Sequence, residues 1–174
     1  MKQETPARIW PREIYDVFKQ VGIEQIAFVP DAGHAQLIRD CEADNAIETV
    51  SLTSEQEGVA MLAGGWLGGK KGALLMQSSG VGNCINMLSL IKGARFPFLT
   101  LVSMRGDFGE GNPWQFPMGQ ATQAVLEAMG VICLRIERPE DVIATTSAAL
   151  TMVLKSGQSV AVLLSQQLIG AKPF

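Results

Sequence analysis

The stretch MQSSGVGNCIN, Met76 to Asn86, follows an apolar run from Gly72 to Leu75 and leads into a second apolar-periodic segment, so it reads as strand, glycine turn and helix start. Gly80 and Gly82 would let the backbone approach a ligand closely, and the amides opening the next helix offer unpaired donors to a polar or anionic group. A Gly-x-Gly turn also serves as a ligand-free connection, so its surroundings must decide. His34, the only histidine, could donate to a carboxylate or carry a proton near neutral pH, or it could be a loop residue or a helix cap. Arg105 offers a planar fork suited to an anion such as a carboxylate, or it could pair with Asp107 or Glu110. Asp31 has the chemistry of an N-terminal helix cap.

These residues need a scaffold, and composition bounds it. A chain of 174 residues with 47% hydrophobic content and a net charge of -3 suits one globular domain with a real core, 1–174 with its core at about 12–165. No basic run offers a footprint for a nucleic-acid backbone. Cys41, Cys84 and Cys133 are odd in number, widely spaced and set in apolar surroundings, which favours buried reduced thiols and a cytoplasmic location over a disulfide frame or a metal knuckle. Met1 to Pro11 mixes charges with two prolines and shows no secretory signal, and no segment approaches membrane-spanning length.

Periodicity places the elements. Arg12 to Val21 carries apolar residues at helical spacing before Gly22; Ile23–Val29 and Ile47–Leu52 read as strands around a short helix at Ala35–Cys41. Ser54 is placed to cap a helix from Glu55 to Leu67, with Glu57 where a capping box needs its acid. Ala73–Gln77, Phe98–Ser103, Val131–Ile136 and Ser159–Leu164 supply four more strands, separated by helices near 83–94, 119–129 and 140–155. Six strands apolar on both faces and alternating with helices predict a doubly wound α/β fold, a six-stranded parallel sheet with helices on both faces. Ligands gather beyond the carboxyl ends of such strands, which points to Pro30–His34, Thr53–Glu57, Gln77–Asn83 and Met104–Gly111. The long irregular stretch Arg105–Met118 carries Trp114, Phe116 and Met118, which could cover the site, dock on a partner, or pack locally over the sheet edge.

Met76-Gln77, Ser79-Gly80, Gly82-Asn83 and Asn86, preceded by Glu55-Gln56-Glu57-Gly58 and Gly65-Trp66 and followed by Arg105-Gly106, carry a resemblance. The pattern resembles the pyrimidine-binding domain of thiamine-diphosphate-dependent decarboxylases, most closely the sulfopyruvate and phosphonopyruvate decarboxylases, and spans roughly Ile14 to Leu164. Enzymes of that family also need a diphosphate-binding domain whose Gly-Asp-Gly and downstream Asn hold a metal ion. Gly106-Asp107-Phe108 echoes that motif without its asparagine, so the chain itself is assigned no metal site. The resemblance therefore implies an α subunit of a split enzyme, inactive alone. A separate β subunit would hold the diphosphate and Mg2+, in a hetero-oligomer with two or more copies of each chain.

The family chemistry asks this half for a carboxylic side chain at the pyrimidine nitrogen, which activates the cofactor to attack a 2-oxo acid. Aligning Gly58 and Gly65 with the family's glycines puts that residue at Gln56, which cannot ionise. A slip by one residue would substitute Glu55 or Glu57, although both also suit the first turn of a helix and Glu57 reads as structural. The resemblance further implies cofactor contacts from Gln56, Ser79, Gly80, Gly82 and Asn83. It implies recognition of an anionic 2-oxo acid, one with a second anionic group, by His34, Gln77, Ser78 and Arg105. A glutamine at position 56 also leaves open a catalytically silent or regulatory module, or a carboligase subunit tolerant of a neutral residue.

Overall fold

Residues 9–171 are described by the structure, a computed structural model. The apolar runs become six strands: β1 (Gln25–Phe28), β2 (Glu48–Ser51), β3 (Gly72–Gln77), β4 (Phe98–Ser103), β5 (Ile132–Ile136) and β6 (Ser159–Leu164). All pair in parallel, in the order β2-β1-β3-β4-β6-β5. The helices are α1 (Trp10–Val21), α2 (Ala35–Glu42), α3 (Glu55–Leu67), α4 (Ser78–Cys84), α5 (Leu88–Ala94), α6 (Phe116–Ala128), α7 (Val142–Ser156) and α8 (Gln166–Ile169).

Strand side chains alternate between two cores. Ile26, Phe28, Leu75, Leu101 and Val162 face α1, α2 and α7, while Ala27, Leu74, Met76, Val102 and Leu163 face α3, α4, α5 and α6. Both faces are dry because strands of a parallel sheet are joined by helices that cross over them. Cys41 and Cys84 are buried thiols and Cys133 is half-buried; burial raises them to about 12, 12 and 11, so they are protonated and inert at neutral pH. Among the described residues no helix is long and apolar enough to cross a membrane. The leader-free reading of Met1–Pro11 lies mostly outside the described residues.

Four local readings change. The expected glycine turn does not exist: β3 ends at Gln77 and α4 begins at Ser78, so Gly80 and Gly82 lie inside a helix. The helix expected at 83–94 is two short helices, and α8 is additional. Part of the supposedly irregular stretch is a 3-10 turn at Pro113–Gln115 that runs into α6. Finally, Ser54 sits at the N-cap of α3 without a side-chain cap bond, and Glu57 reaches back to the Thr53 N–H at 3.0 Å, so half of the capping box forms, one residue early.

Candidate active site

β1 and β3 are neighbours whose chains leave the sheet toward opposite faces, β1 into α2 and β3 into α4, which makes the crevice between their carboxyl ends the topological switch point. Asp31 closes that crevice. Its carboxylate accepts from Gln77 Nε2 (2.9 Å), from the Gly33 N–H (3.0 Å) and from Ser103 Oγ, tying together the ends of β1, β3 and β4. Burial pushes its pKa up, but the hydrogen bonds from Ser103, Gln77 and the Gly33 N–H hold it below the usual carboxylate range. Asp31 is therefore an ionised clasp rather than a helix cap, since His34 occupies the N-cap position of α2.

The four residues expected to recognise substrate are all engaged elsewhere. His34 is fully buried, and its Nε2 faces the Met76 carbonyl at 3.2 Å. A carbonyl only accepts, so Nε2 carries the proton and Nδ1 is bare. Burial lowers the His34 pKa against the opposing pull of Asp31, so the ring is neutral and cannot present charge to a ligand. As the sole histidine, its imidazole should titrate below the ordinary histidine range in an NMR titration; a midpoint at or above that range would contradict this assignment. Gln77 spends both ends of its amide, Nε2 on Asp31 and Oε1 accepting from Ser79 Oγ at 2.9 Å. Ser78 is buried, with Oγ accepting from the Arg105 N–H at 3.1 Å.

Arg105 is neutralised. Its Nε and Nη2 donate to the two oxygens of Glu110 at 2.5 and 2.7 Å, with side-chain exposures of 10% and 1%. Glu110 also accepts from the Asn112 N–H (3.0 Å) and Gln166 Nε2 (3.0 Å), so freeing Arg105 for a ligand would strand a buried carboxylate. The Arg105 bonds lower Glu110 to about 2, with burial opposing. A depressed folded pKa stabilises above the unfolded value, near 4.3, and that stability is lost as pH falls toward 2. The melting-temperature gap between wild type and Glu110→Gln should therefore be full above about pH 5 and close toward pH 2; a gap independent of pH would refute the pairing.

At the start of α3 the structure separates the two candidate activators. Glu55 is 7% exposed, whereas Gln56 faces solvent. Gly58, packed so tightly that a Cβ would lie 2.5 Å from Leu74 and 2.8 Å from Leu52, sets the rotation of the helix. Glu55, Gly58, Val59 and Leu62 then share the inner face, and Gln56, Ala60 and Gly64 the outer one. The fold therefore turns Glu55 toward the crevice side of α3 and Gln56, the residue expected in that register, toward solvent. Asn83 Nδ2 donates to Glu55 Oε2 at 2.8 Å, and a Cβ on Gly80 would lie 2.3 Å from Glu55 Oε1. Gly80 is glycine to admit this carboxyl group, not to make a turn. Ser79 and Asn83 are exposed beside it, while a Cβ on Gly82 would meet Met118 Sδ at 3.2 Å. Of the alternatives the sequence offered for Arg105, pairing with Glu110 is the one realised; the clasp role of Asp31 went unread, because hydrogen bonds between distant segments leave no periodic trace.

The Thiamine pyrophosphate enzyme, N-terminal TPP binding domain family matches residues 12–130 of this chain, well over half of it. The chain belongs to the thiamine pyrophosphate enzymes. Within that family it is 34% identical over 152 residues to the sulfopyruvate decarboxylase subunit alpha of Methanococcus maripaludis, covering 87% of this chain and 91% of that one. It is 36% identical over 151 residues to the subunit of the same name from Methanocaldococcus jannaschii, covering 86% and 89%. The fold, at a TM-score of 0.75 and 18% identity, matches the 2-oxoglutarate:ferredoxin oxidoreductase of Magnetococcus marinus; the match covers 92% of this thiamine pyrophosphate enzyme domain and 29% of that longer chain.

Proposed function

We propose that this chain is the α subunit of a split thiamine-diphosphate-dependent 2-oxo acid decarboxylase of the sulfopyruvate and phosphonopyruvate type, and that Glu55 is its activating carboxyl group. The observation that carries the proposal is the seat of Glu55, a carboxyl group held by Asn83 against a glycine whose missing side chain makes room for it. An exposed carboxylate at a helix start would be accounted for by the helix dipole alone; a buried one in a glycine-made recess has a further use.

The donor set fits the aminopyrimidine end of the cofactor. Glu55 Oε1 would share a proton with a ring nitrogen, and Ser79, Gly80, Gly82 and Asn83 would form the wall beneath the ring. When bound, the cofactor supplies the carbon nucleophile for the keto group and the electron sink for decarboxylation. Asn83 fixes one carboxyl oxygen so that the other is presented in a single orientation. In this reading Mg2+ and the diphosphate fall to a separate β subunit. The three protonated thiols suit the cytoplasm as the compartment.

The silent-module and carboligase alternatives rest on a neutral residue at the activating position, which the Glu55 reading does not need. Mixing the purified chain with thiamine diphosphate, Mg2+ and its partner subunit should give loss of sulfopyruvate or another 2-oxo acid, and the chain alone should give none. Turnover by the isolated chain would sink the split arrangement; no turnover with partner across a panel of 2-oxo acids would sink the enzyme.

A further inference from the structure

Beside the Glu55 seat lies an open cavity of about 650 Å3 lined by Ser79, Asn112, Pro113, Trp114, Pro117 and Met118. It shares a wall with the proposed cofactor contacts. Ser79 and Gly82 belong to α4, the helix whose Gly80 receives Glu55, and Met118 packs on Gly82. No charged side chain lines it. Its outer wall is Trp114, 82% exposed, on a segment that is firmly built.

Asn112 Oδ1 caps the Trp114 N–H at 3.1 Å, and the Asn112 N–H is held by Glu110. Gln166 Oε1 accepts from the N–H groups of Asp107 and Phe108, and Gln120 Nε2 donates to the Gly106 carbonyl at 2.5 Å. Gly119 approaches so closely that a Cβ there would lie 2.0 Å from the Arg105 carbonyl oxygen. A floppy loop can hide a tryptophan by collapsing; this one holds it out in water, at the cost of leaving much of an indole's roughly 150–250 Å2 unburied.

Resting on the decarboxylase reading above, we propose that Trp114 is the anchor of the α–β interface, and that the cavity beside it receives an apolar side chain of the diphosphate-binding subunit. Three observations select that occupant. A small 2-oxo acid is too small to cover an indole that is 82% exposed, so the cover is a macromolecule. The cavity adjoins the proposed cofactor wall through Ser79 and through Met118 against Gly82, so on the decarboxylase reading the chain that completes the site closes over this edge. The lining is uncharged and holds two prolines, a methionine and a tryptophan, the residue types that concentrate binding energy once water is excluded. Arg105 and Glu110, buried beneath the segment, act as positioning residues that hold the anchor out.

The test measures association of the partner subunit with wild type, Trp114→Ala, Trp114→Phe and Leu67→Ala by calorimetry and sedimentation, with turnover followed in parallel. Leu67 is 75% exposed at the far end of α3 and controls for loss of apolar surface in general. Trp114→Ala should weaken the α–β Kd by about thirty-fold or more, Trp114→Phe should weaken it less, and Leu67→Ala should leave it unchanged. At saturating partner the kcat of Trp114→Ala should return to that of wild type, which a substrate contact would not allow. An unchanged Kd with a raised KM for the 2-oxo acid overturns the proposal and makes Trp114 a substrate wall; unchanged Kd and KM overturn it as well. If wild type neither binds the partner nor turns over any 2-oxo acid, the decarboxylase reading falls together with this one, whereas a normal wild type with an insensitive Trp114→Ala removes this inference alone.

Discussion

Glu55→Gln is expected to lower kcat of the assembled enzyme by about 10²- to 10⁴-fold, whereas Gln56→Glu is expected to change nothing. Glutamine at position 55 keeps the shape and can still accept from Asn83 Nδ2, but it has no proton to exchange with a ring nitrogen. The position is buried and one carboxyl oxygen is already held, so water cannot easily stand in for the lost group. At position 56 a carboxylate would sit on the outer face of α3 in solvent, too far round the helix to share the recess. The paired measurement is steady-state turnover at saturating cofactor, Mg2+ and partner. A loss of less than about tenfold in Glu55→Gln, or a gain in Gln56→Glu, would return the activating role to position 56.

Gly80→Ala is expected to separate activity from stability. A Cβ at position 80 would fall 2.3, 2.5 and 2.7 Å from Oε1, Cδ and Cγ of Glu55, so the whole end of that side chain must swing out of its recess. The atoms in the way belong to the far end of a flexible side chain, and moving them costs the fold little. Meanwhile alanine inside a helix is favoured over glycine by up to about 1 kcal/mol. The melting temperature should therefore hold or rise while turnover falls about 10²-fold, an outcome that ordinary packing damage cannot produce. A variant that melts early and keeps the activity of its folded fraction would show that Gly80 serves packing and not the carboxyl group.

The same geometry shows which of the expected residues the fold brings together. Gly80 was singled out by residue type, and Asn83 and Glu55 by the resemblance, Glu55 as the alternative to Gln56; the folded chain brings the three within contact of one another. His34 and Arg105 were singled out on equally good chemical grounds, yet one is sealed under Met76 as a neutral ring and the other is spent on Glu110. A charge is available only if no partner has taken it, and the partner of Arg105 is supplied by a loop whose path has no periodic signature.

Six strands, their alternation with helices and the edge at which the loops gather are written along one dimension, because strand and helix periods and turn residues are local properties that packing merely ratifies. The choice between Glu55 and Gln56 is of another kind. Adjacent residues on a helix point about a hundred degrees apart, and the phase is set where Gly58 lets the helix settle onto Leu52 of the β2–α3 connection and Leu74 of β3. Likewise, whether Gly80 opens a turn or a recess depended on what stood opposite it. Chemistry-bearing residues could be named from the linear chain, but which of them face a ligand was decided by neighbours that only the folded sheet brings together.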